Sequence, residues 1–208
     1  MKMDDPKGDP WTWLTARVVY DNPWISVEER RGQNPAGEAA IYGIVRMKRL
    51  AVGILPINEK GEVYLVGQWR PPLEAYSWEI PEGGADPGEA PDACARRELE
   101  EETGLRARSL LEILRFDVSN SVTDERAIVF LATDLAQGQP RPDPTEVLSQ
   151  SRLPFAEVLA RVLDGRISDS LTVAATLRAH HMAVTGAIAP VMARAMLPDW
   201  PWAFGSER

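Results

Sequence analysis

The sequence predicts an α+β fold with a small antiparallel sheet at its N-terminal end. Three observations carry this. Short runs rich in Val, Ile, Tyr and Trp, broken by turn residues, fill residues 16–84. One helical stretch over residues 90–103 interrupts the strands. Two more helical patterns, 154–165 and 168–184, follow the last strand.

In order, ARVVY (16–20), WISVEER (24–30) and AAIYGIVRM (39–47) read as three antiparallel strands, punctuated by Asn22-Pro23 and Asn34-Pro35. LAVGILPI (50–57) is a continuous apolar run and reads as a buried strand. NEKG (58–61) is a turn, from which EVYLVGQW (62–69) is expected to pair back as a hairpin. AYSWEIPEGG (75–84) is extended and ends in a glycine loop. The helix over 90–103 tolerates Pro91 in its first turn, where the missing N–H has no partner to lose, and Gly104 stops it. Strands follow at 108–118, 127–135 and 147–152. The helix 154–165 aligns Phe155, Val158, Leu159 and Val162 on one stripe, and Ser168 and Asp169 are capping candidates for the next helix. The remainder reads as a short tail bearing Trp200, Trp202 and Phe204.

Composition narrows the function. The 208 residues are 44% hydrophobic and 26% charged, an ordinary globular balance, and the net charge is −8. A nucleic-acid-coating surface would be basic, so no nucleic-acid partner is expected. An anionic substrate must instead be met by local arginines or by metal cations. Cys94 is the one cysteine, which excludes an internal disulfide and fits a reducing compartment. The N-terminal MKMDDPKGDP lacks the apolar stretch of a signal peptide, and no apolar run is long enough for a membrane span. The expectation is a cytoplasmic protein with no membrane partner.

Chemistry concentrates in RELEEETG (Arg97–Gly104). At about 100° per residue, Glu98, Glu101 and Glu102 share one helix face and Glu100 points away. Like charges this close repel. A solvated acidic face is one outcome. The other is a cage for hard divalent cations such as Mg2+, which take oxygen ligands and keep waters for a phosphate-bearing substrate. Arg97 lies beside this face and can orient a carboxylate. His180, His181 and Cys94 have no metal-site spacing, so zinc is not expected.

The wider stretch GGADPGEAPDACARRELEEETGL (83–105) places Gly83, Glu89, Arg97, Glu98, Leu99, Glu101, Glu102, Gly104 and Leu105 at every fixed position of the Nudix box. The chain therefore resembles a Nudix hydrolase. The resemblance implies an α/β/α sandwich with a mixed β-sheet, and divalent-metal-dependent cleavage of a nucleoside diphosphate linked to another group. It implies Mg2+, with Mn2+ as a substitute. Glu98 and Glu102 match the main metal ligands, Glu101 a further ligand or water-holder, and the carbonyl of Glu82 a common metal contact. Arg97 and Glu89 match orienting residues.

A further resemblance, to enzymes acting on ADP-ribose and other nucleotide sugars, rests on QWRPPLEAYSWEIPEGG, on VTDE (122–125) and on LPFAEVLARVLDGRISDSLTVAAT. It implies a nucleotide-sugar substrate and a homodimer formed through an N-terminal sheet. The organisation expected is a dimerisation region over 1–48, the hydrolase domain over 49–186 and a tail over 187–208. Arg70 would grip a phosphate, or else be an ion-paired arginine at a strand end. Glu79 would orient substrate or join the metal cluster, or else pair with an arginine. The general base is expected on the loop PDPTEVL (142–148), where Glu146 is preferred over Asp143, with Glu125 as a competitor. Trp69, Tyr76 and Trp78 are expected in the core, with stacking on a base as the alternative. Ser119–Glu125 reads SNSVTDE, without the proline that the best-known ADP-ribose hydrolases carry there, so GDP-mannose, nucleoside triphosphates and dinucleoside polyphosphates stay open as substrates. A nucleotide-sensing module without catalysis would have shed box glutamates, and none is missing.

Overall fold

The structure, a computed structural model, describes residues 8–140 and 147–201. They divide into two compact units. One holds the described part of Met1–Arg49 with Asp117–Glu125; the other holds Leu50–Phe116 and the described part of Arg126–Arg208.

The first unit is an antiparallel meander of β1 (Thr12–Asp21), β2 (Ile25–Gln33) and β3 (Ala39–Met47). Asn22 turns the first corner by accepting the N–H groups of Trp24 and Ile25 on its side-chain oxygen, the local bonding that suits asparagine to turns. Trp11 and Trp13 stack with ring centroids 5.1 Å apart, and Tyr42 meets both edge-on. Segment 117–125 joins β3 through a bridge between Val45 and Thr123, and Asp124 accepts the N–H of Met47. Leu14, Val18, Tyr20, Trp24 and Ile41 stay exposed.

The second unit has two sheets. β4 (Ala51–Pro56), β7 (Glu82–Gly84), β8 (Leu105–Asp117) and β9 (Arg126–Gln137) form a four-stranded sheet in the order β7-β4-β9-β8, with β4 parallel to β9 and antiparallel to β7. β10 (Ser149–Pro154), β5 (Glu62–Arg70) and β6 (Ala75–Glu79) form an antiparallel sheet in the order β10-β5-β6. The expected β4–β5 hairpin does not form as a ladder. Only Ile57 and Val63 bridge across the turn, and the two strands then enter different sheets. Alternation cannot foresee this, because both strands are buried runs without a polar face.

Side chains alternate across β4. Val52 and Ile54 join Cys94, Ala95 and Leu99 of α1 (Pro91–Thr103), together with Ile128 and Phe130, in one buried cluster. Gly53, between them, faces Leu171 of α3 (Ser170–Val184) on the other side. The sheet thus lies between helices, an α/β/α sandwich with a mixed sheet. α2 (Phe155–Leu163) buries Phe155 and Val158, with Leu159 and Val162 half-buried on the same stripe. Leu99 is fully buried, and truncating it to Ala would cost about 2–5 kcal/mol. Gly104 ends α1 at φ 73°, and its N–H caps the carbonyl of Glu100.

Two expectations need correction. The C-terminal stretch carries a third helix, α4 (Pro190–Met196), burying Ala193 and Met196 against the rest of its unit. Its proline at the first helical position was the available signal. Trp69 and Tyr76 are exposed rather than core. They face each other across β5 and β6, and Tyr76 packs edge-on against half-buried Trp78. Trp202 and Phe204 lie outside the described residues. Trp200 meets His180 edge-on, with ring centroids 5.2 Å apart.

Candidate active site

α1 presents the acidic run beside β7, so that the Gly83-Gly84 stretch expected as a loop is instead a strand paired with β4. Arg97 organises it. Its guanidinium donates to both carboxylate oxygens of Glu89, at 2.9 Å each, to Glu98 at 2.7 Å, to Glu101 at 3.1 Å and to the carbonyl of Gly84 at 3.3 Å. A planar fork with five donors can serve several acceptors at once, which lysine cannot. The hydrogen bond from Arg97 holds the Glu89 carboxyl down at about 2, and the same carboxylates raise the pKa of Arg97 above its ordinary value. The Glu98 carboxylate lies against Gly83, where an added Cβ would stand 2.1 Å from its Oε1.

Glu102 is only 2% exposed. Its Oε2 accepts the backbone N–H of Glu82 at 3.1 Å, joining the helix to the first residue of β7. Glu98 and Glu101 thus share one arginine nitrogen, while Glu102 turns to the start of β7.

Arg70 and Glu79 meet at the end of β5 and β6. Arg70 donates from Nε to both oxygens of Glu79, at 2.9 and 3.1 Å, and from Nη2 to Glu82 Oε1 at 3.0 Å. Glu79 is 2% exposed, so the arginine neutralises a buried carboxylate. The bond to Glu79 raises the pKa of Arg70. Glu82 has its pKa pushed well up, first by burial, then by the charges of Asp169 and Glu79, against the opposing pull of Arg70. Its Oε2 is buried with no hydrogen-bond partner. Among the described residues, Glu79, Glu82 and Asp169 are the acids whose oxygens converge to within 4.8 Å of one another. Sequence reasoning had Asp169 only as a cap, a role it fills by accepting the N–H of Thr172. Its nearness to Glu82 comes from tertiary folding and has no local signal.

Glu146 and Asp143 lie outside the described residues. Glu125 belongs to the first unit, and burial raises its pKa. Cys94 is fully buried; burial first, and then the charge of Glu98, push its thiol up to about 12.

The donors fit a hard divalent cation. Glu98 and Glu102 offer carboxylate oxygens on adjacent turns, Gly83 leaves the notch that Glu98 occupies, and Glu82 holds an orphaned buried oxygen. The expected gathering of Glu98, Glu101 and Glu102 is not seen: Arg97 draws the first two and the Glu82 amide the third, and among the described residues the acids that gather are Glu79, Glu82 and Asp169.

Fold and site together define an α/β/α protein whose mid-chain helix presents oriented carboxylates to a glycine-bearing strand. The NUDIX domain description matches residues 47–172, and the chain belongs to that family. It is 35% identical over 161 residues to the ADP-ribose pyrophosphatase of Mycobacterium tuberculosis, covering 76% of this chain and 77% of that protein. It is likewise 35% identical over 158 residues to the ADP-ribose pyrophosphatase of Bacillus subtilis, covering 76% of this chain and 80% of that one. The ADP-sugar pyrophosphatase of Mus musculus is 28% identical over 183 residues, covering 80% of this chain and 84% of that protein. A crystal structure of an ADP compounds hydrolase superposes with a TM-score of 0.77 at 24% identity, covering 88% of this chain and all of that one, which establishes the shared fold. No helix among the described residues is long and apolar enough to cross a membrane.

Proposed function

We propose that the protein hydrolyses the diphosphate bond of a nucleoside diphosphate sugar, with ADP-ribose the first substrate to try, giving a nucleoside monophosphate and a sugar phosphate. The observation that carries this reading is the set of box carboxylates, Glu89, Glu98 and Glu101 ordered by Arg97 and Glu102 by the Glu82 amide, with Glu98 seated against Gly83. The names of the bacterial and mouse relatives support the substrate class.

Bound Mg2+ or Mn2+ would neutralise phosphate oxygens and lower the pKa of a bound water. Glu98, Glu102 and the Glu82 carbonyl would hold it, with Glu101 as a further ligand or water-holder. Arg97, itself held by Glu89, keeps Glu98 and Glu101 oriented, and the Glu82 amide holds Glu102. Glu146 takes the proton of the attacking water. Arg70 and Glu79 line the substrate side, where their ion pair fixes Glu82.

The exposed apolar residues Leu14, Val18, Tyr20, Trp24 and Ile41 support a homodimer formed through the N-terminal sheet. On this reading residues 1–48 serve dimerisation, 49–186 hydrolysis, and 187–208 complete the chain. A single buried cysteine suits the reducing cytoplasm.

A panel of nucleotide sugars, triphosphates and dinucleoside polyphosphates, assayed with Mg2+ or Mn2+ and with products identified, tests the substrate. Rapid turnover of ADP-ribose to AMP and ribose 5-phosphate is expected. Efficient turnover of triphosphates with nucleotide sugars left intact would overturn the assignment.

A further inference from the structure

The short segment Glu79–Glu82 crosses from the antiparallel sheet to the mixed sheet, and nearly every polar group on it is tied down. The ladder between β5 and β6 ends at Glu79, so the N–H of Ile80 has no strand partner. It donates instead to Thr172 Oγ1 on α3, at 2.9 Å and 92 residues away in sequence. The carbonyl of Pro81 accepts the N–H of Ile54 at 2.8 Å. The N–H of Glu82 donates to Glu102 at 3.1 Å.

The direction of the Thr172 bonds is fixed by chemistry. Asp169 Oδ2 lies 2.7 Å from Thr172 Oγ1 and 2.7 Å from its backbone nitrogen. A carboxylate only accepts, so the single hydroxyl proton goes to Asp169. The hydroxyl lone pair is thereby turned to Ile80. Thr172 is fully buried, and water cannot replace it there. Pro81, with its fixed φ, transmits the position of Ile80 to Glu82 with little slack.

We propose that Thr172 is a positioning residue for the metal-holding face. Oriented by Asp169, it sets Ile80, and through the stiff Ile80–Glu82 backbone it sets the amide that orients Glu102. The role rests on the reading that Glu102 holds the divalent ion. Partners that orient metal ligands change metal affinity or activity by about 10–100-fold when removed.

The test is Mn2+ binding without substrate, read from the paramagnetic resonance signal of free Mn2+, in wild type, Thr172→Val, Thr172→Ser and Glu102→Gln. Thr172→Val keeps the shape and loses the hydroxyl. We expect it to weaken Mn2+ binding about 10-fold and to lower kcat with the substrate KM unchanged. Thr172→Ser restores the hydroxyl and should bind Mn2+ as wild type does. Should Thr172→Val not fold, Thr172→Ala carries the same test, since it also removes the hydroxyl and leaves every carboxylate in place. If Thr172→Val loses thermal stability yet binds Mn2+ like wild type, while Glu102→Gln does not, Thr172 is structural and this inference alone falls. If wild type leaves all Mn2+ free, the metal reading falls and the positioning role with it.

Discussion

Glu98 rests its carboxylate in the space left by the missing side chain of Gly83. A Cβ on that glycine would stand 2.1 Å from Glu98 Oε1 and 2.2 Å from Cδ, far inside van der Waals contact. Glu98 cannot retreat freely, because Arg97 holds it at 2.7 Å and is itself locked to Glu89. Gly83→Ala should therefore displace the Glu98 carboxylate. A shift near 1 Å at a reacting centre costs roughly 10²-fold, so kcat is expected to fall by about that factor. Steady-state kinetics at saturating Mg2+ checks this. Unchanged turnover would show that Glu98 tolerates displacement and is not a ligand.

Glu102 differs from its neighbours on α1 in being almost fully buried and bonded to the Glu82 amide. Glutamine is isosteric and its carbonyl oxygen can still accept that N–H, so Glu102→Gln should leave the fold intact. It removes the negative charge, and turnover should drop by on the order of 10³-fold, the scale of losing one strong electrostatic contact in a transition state. Thermal unfolding and single-turnover kinetics on the same sample separate the two effects. Activity near wild type would refute the metal role of Glu102.

Arg70 bridges two carboxylates, one of them nearly buried. Arg70→Ala leaves Glu79 without its counter-charge, and breaking such a pair costs about 3–5 kcal/mol. At roughly 2–4 °C per kcal/mol for a chain of this size, the thermal midpoint should fall by about 6–20 °C. Arg70→Lys should recover part of this, because an ammonium cannot reproduce the two-pronged contact. A raised substrate KM with an unchanged midpoint would instead make Arg70 a substrate-binding group free of a structural duty.

Local patterns made most of this legible. The spacing of Gly83, Glu89, Arg97, Glu98 and Glu102 along one loop and helix is a local property, so the acidic face and its arginine were readable before any fold was known. The Gly104 stop and the Asp169 cap were readable for the same reason. The sheet assignment of β5 was not, because a buried strand carries no sign of which neighbour it will choose. Nor was the Thr172 contact to Ile80, which depends on the placement of α3 against the segment before β7. Trp69 and Tyr76 misled because strand spacing gives a face without saying whether another layer covers it.

Acid stability should bear the mark of the Glu89–Arg97 pair. The Glu89 carboxyl is held at about 2 against an ordinary 4.5. A depressed carboxyl stabilises the native state above pH 4.5, and that contribution is lost as the pH falls from 4.5 towards 2. Glu82 runs the other way. Its raised pKa favours the native state below pH 4.5, and that contribution fades as the pH rises through its folded value. Glu89→Gln should thus be less stable than wild type at neutral pH, with the gap narrowing steadily below pH 4.5. Thermal midpoints of both proteins across the acid range check this. A constant gap would show that the pair does not titrate with unfolding.

The proton of the attacking water needs an acceptor, and two glutamates compete for that role. Glu125 is held by its own loop, where its N–H donates to Thr123 Oγ1 at 3.2 Å, and burial raises its pKa. Glu146 lies outside the described residues, in the sequence between β9 and β10; after β9, Gly138 donates to the Gly104 carbonyl at the C-terminal end of α1, at 2.7 Å. Glu146→Gln should lower kcat by about 10²–10⁴-fold, the usual size of general-base catalysis, and flatten the acid limb of the pH–rate profile while Mn2+ affinity stays as in wild type. Glu125→Gln should keep both rate and profile. The reverse pattern, with Glu125→Gln crippled and Glu146→Gln active, would move the base to the SNSVTDE loop.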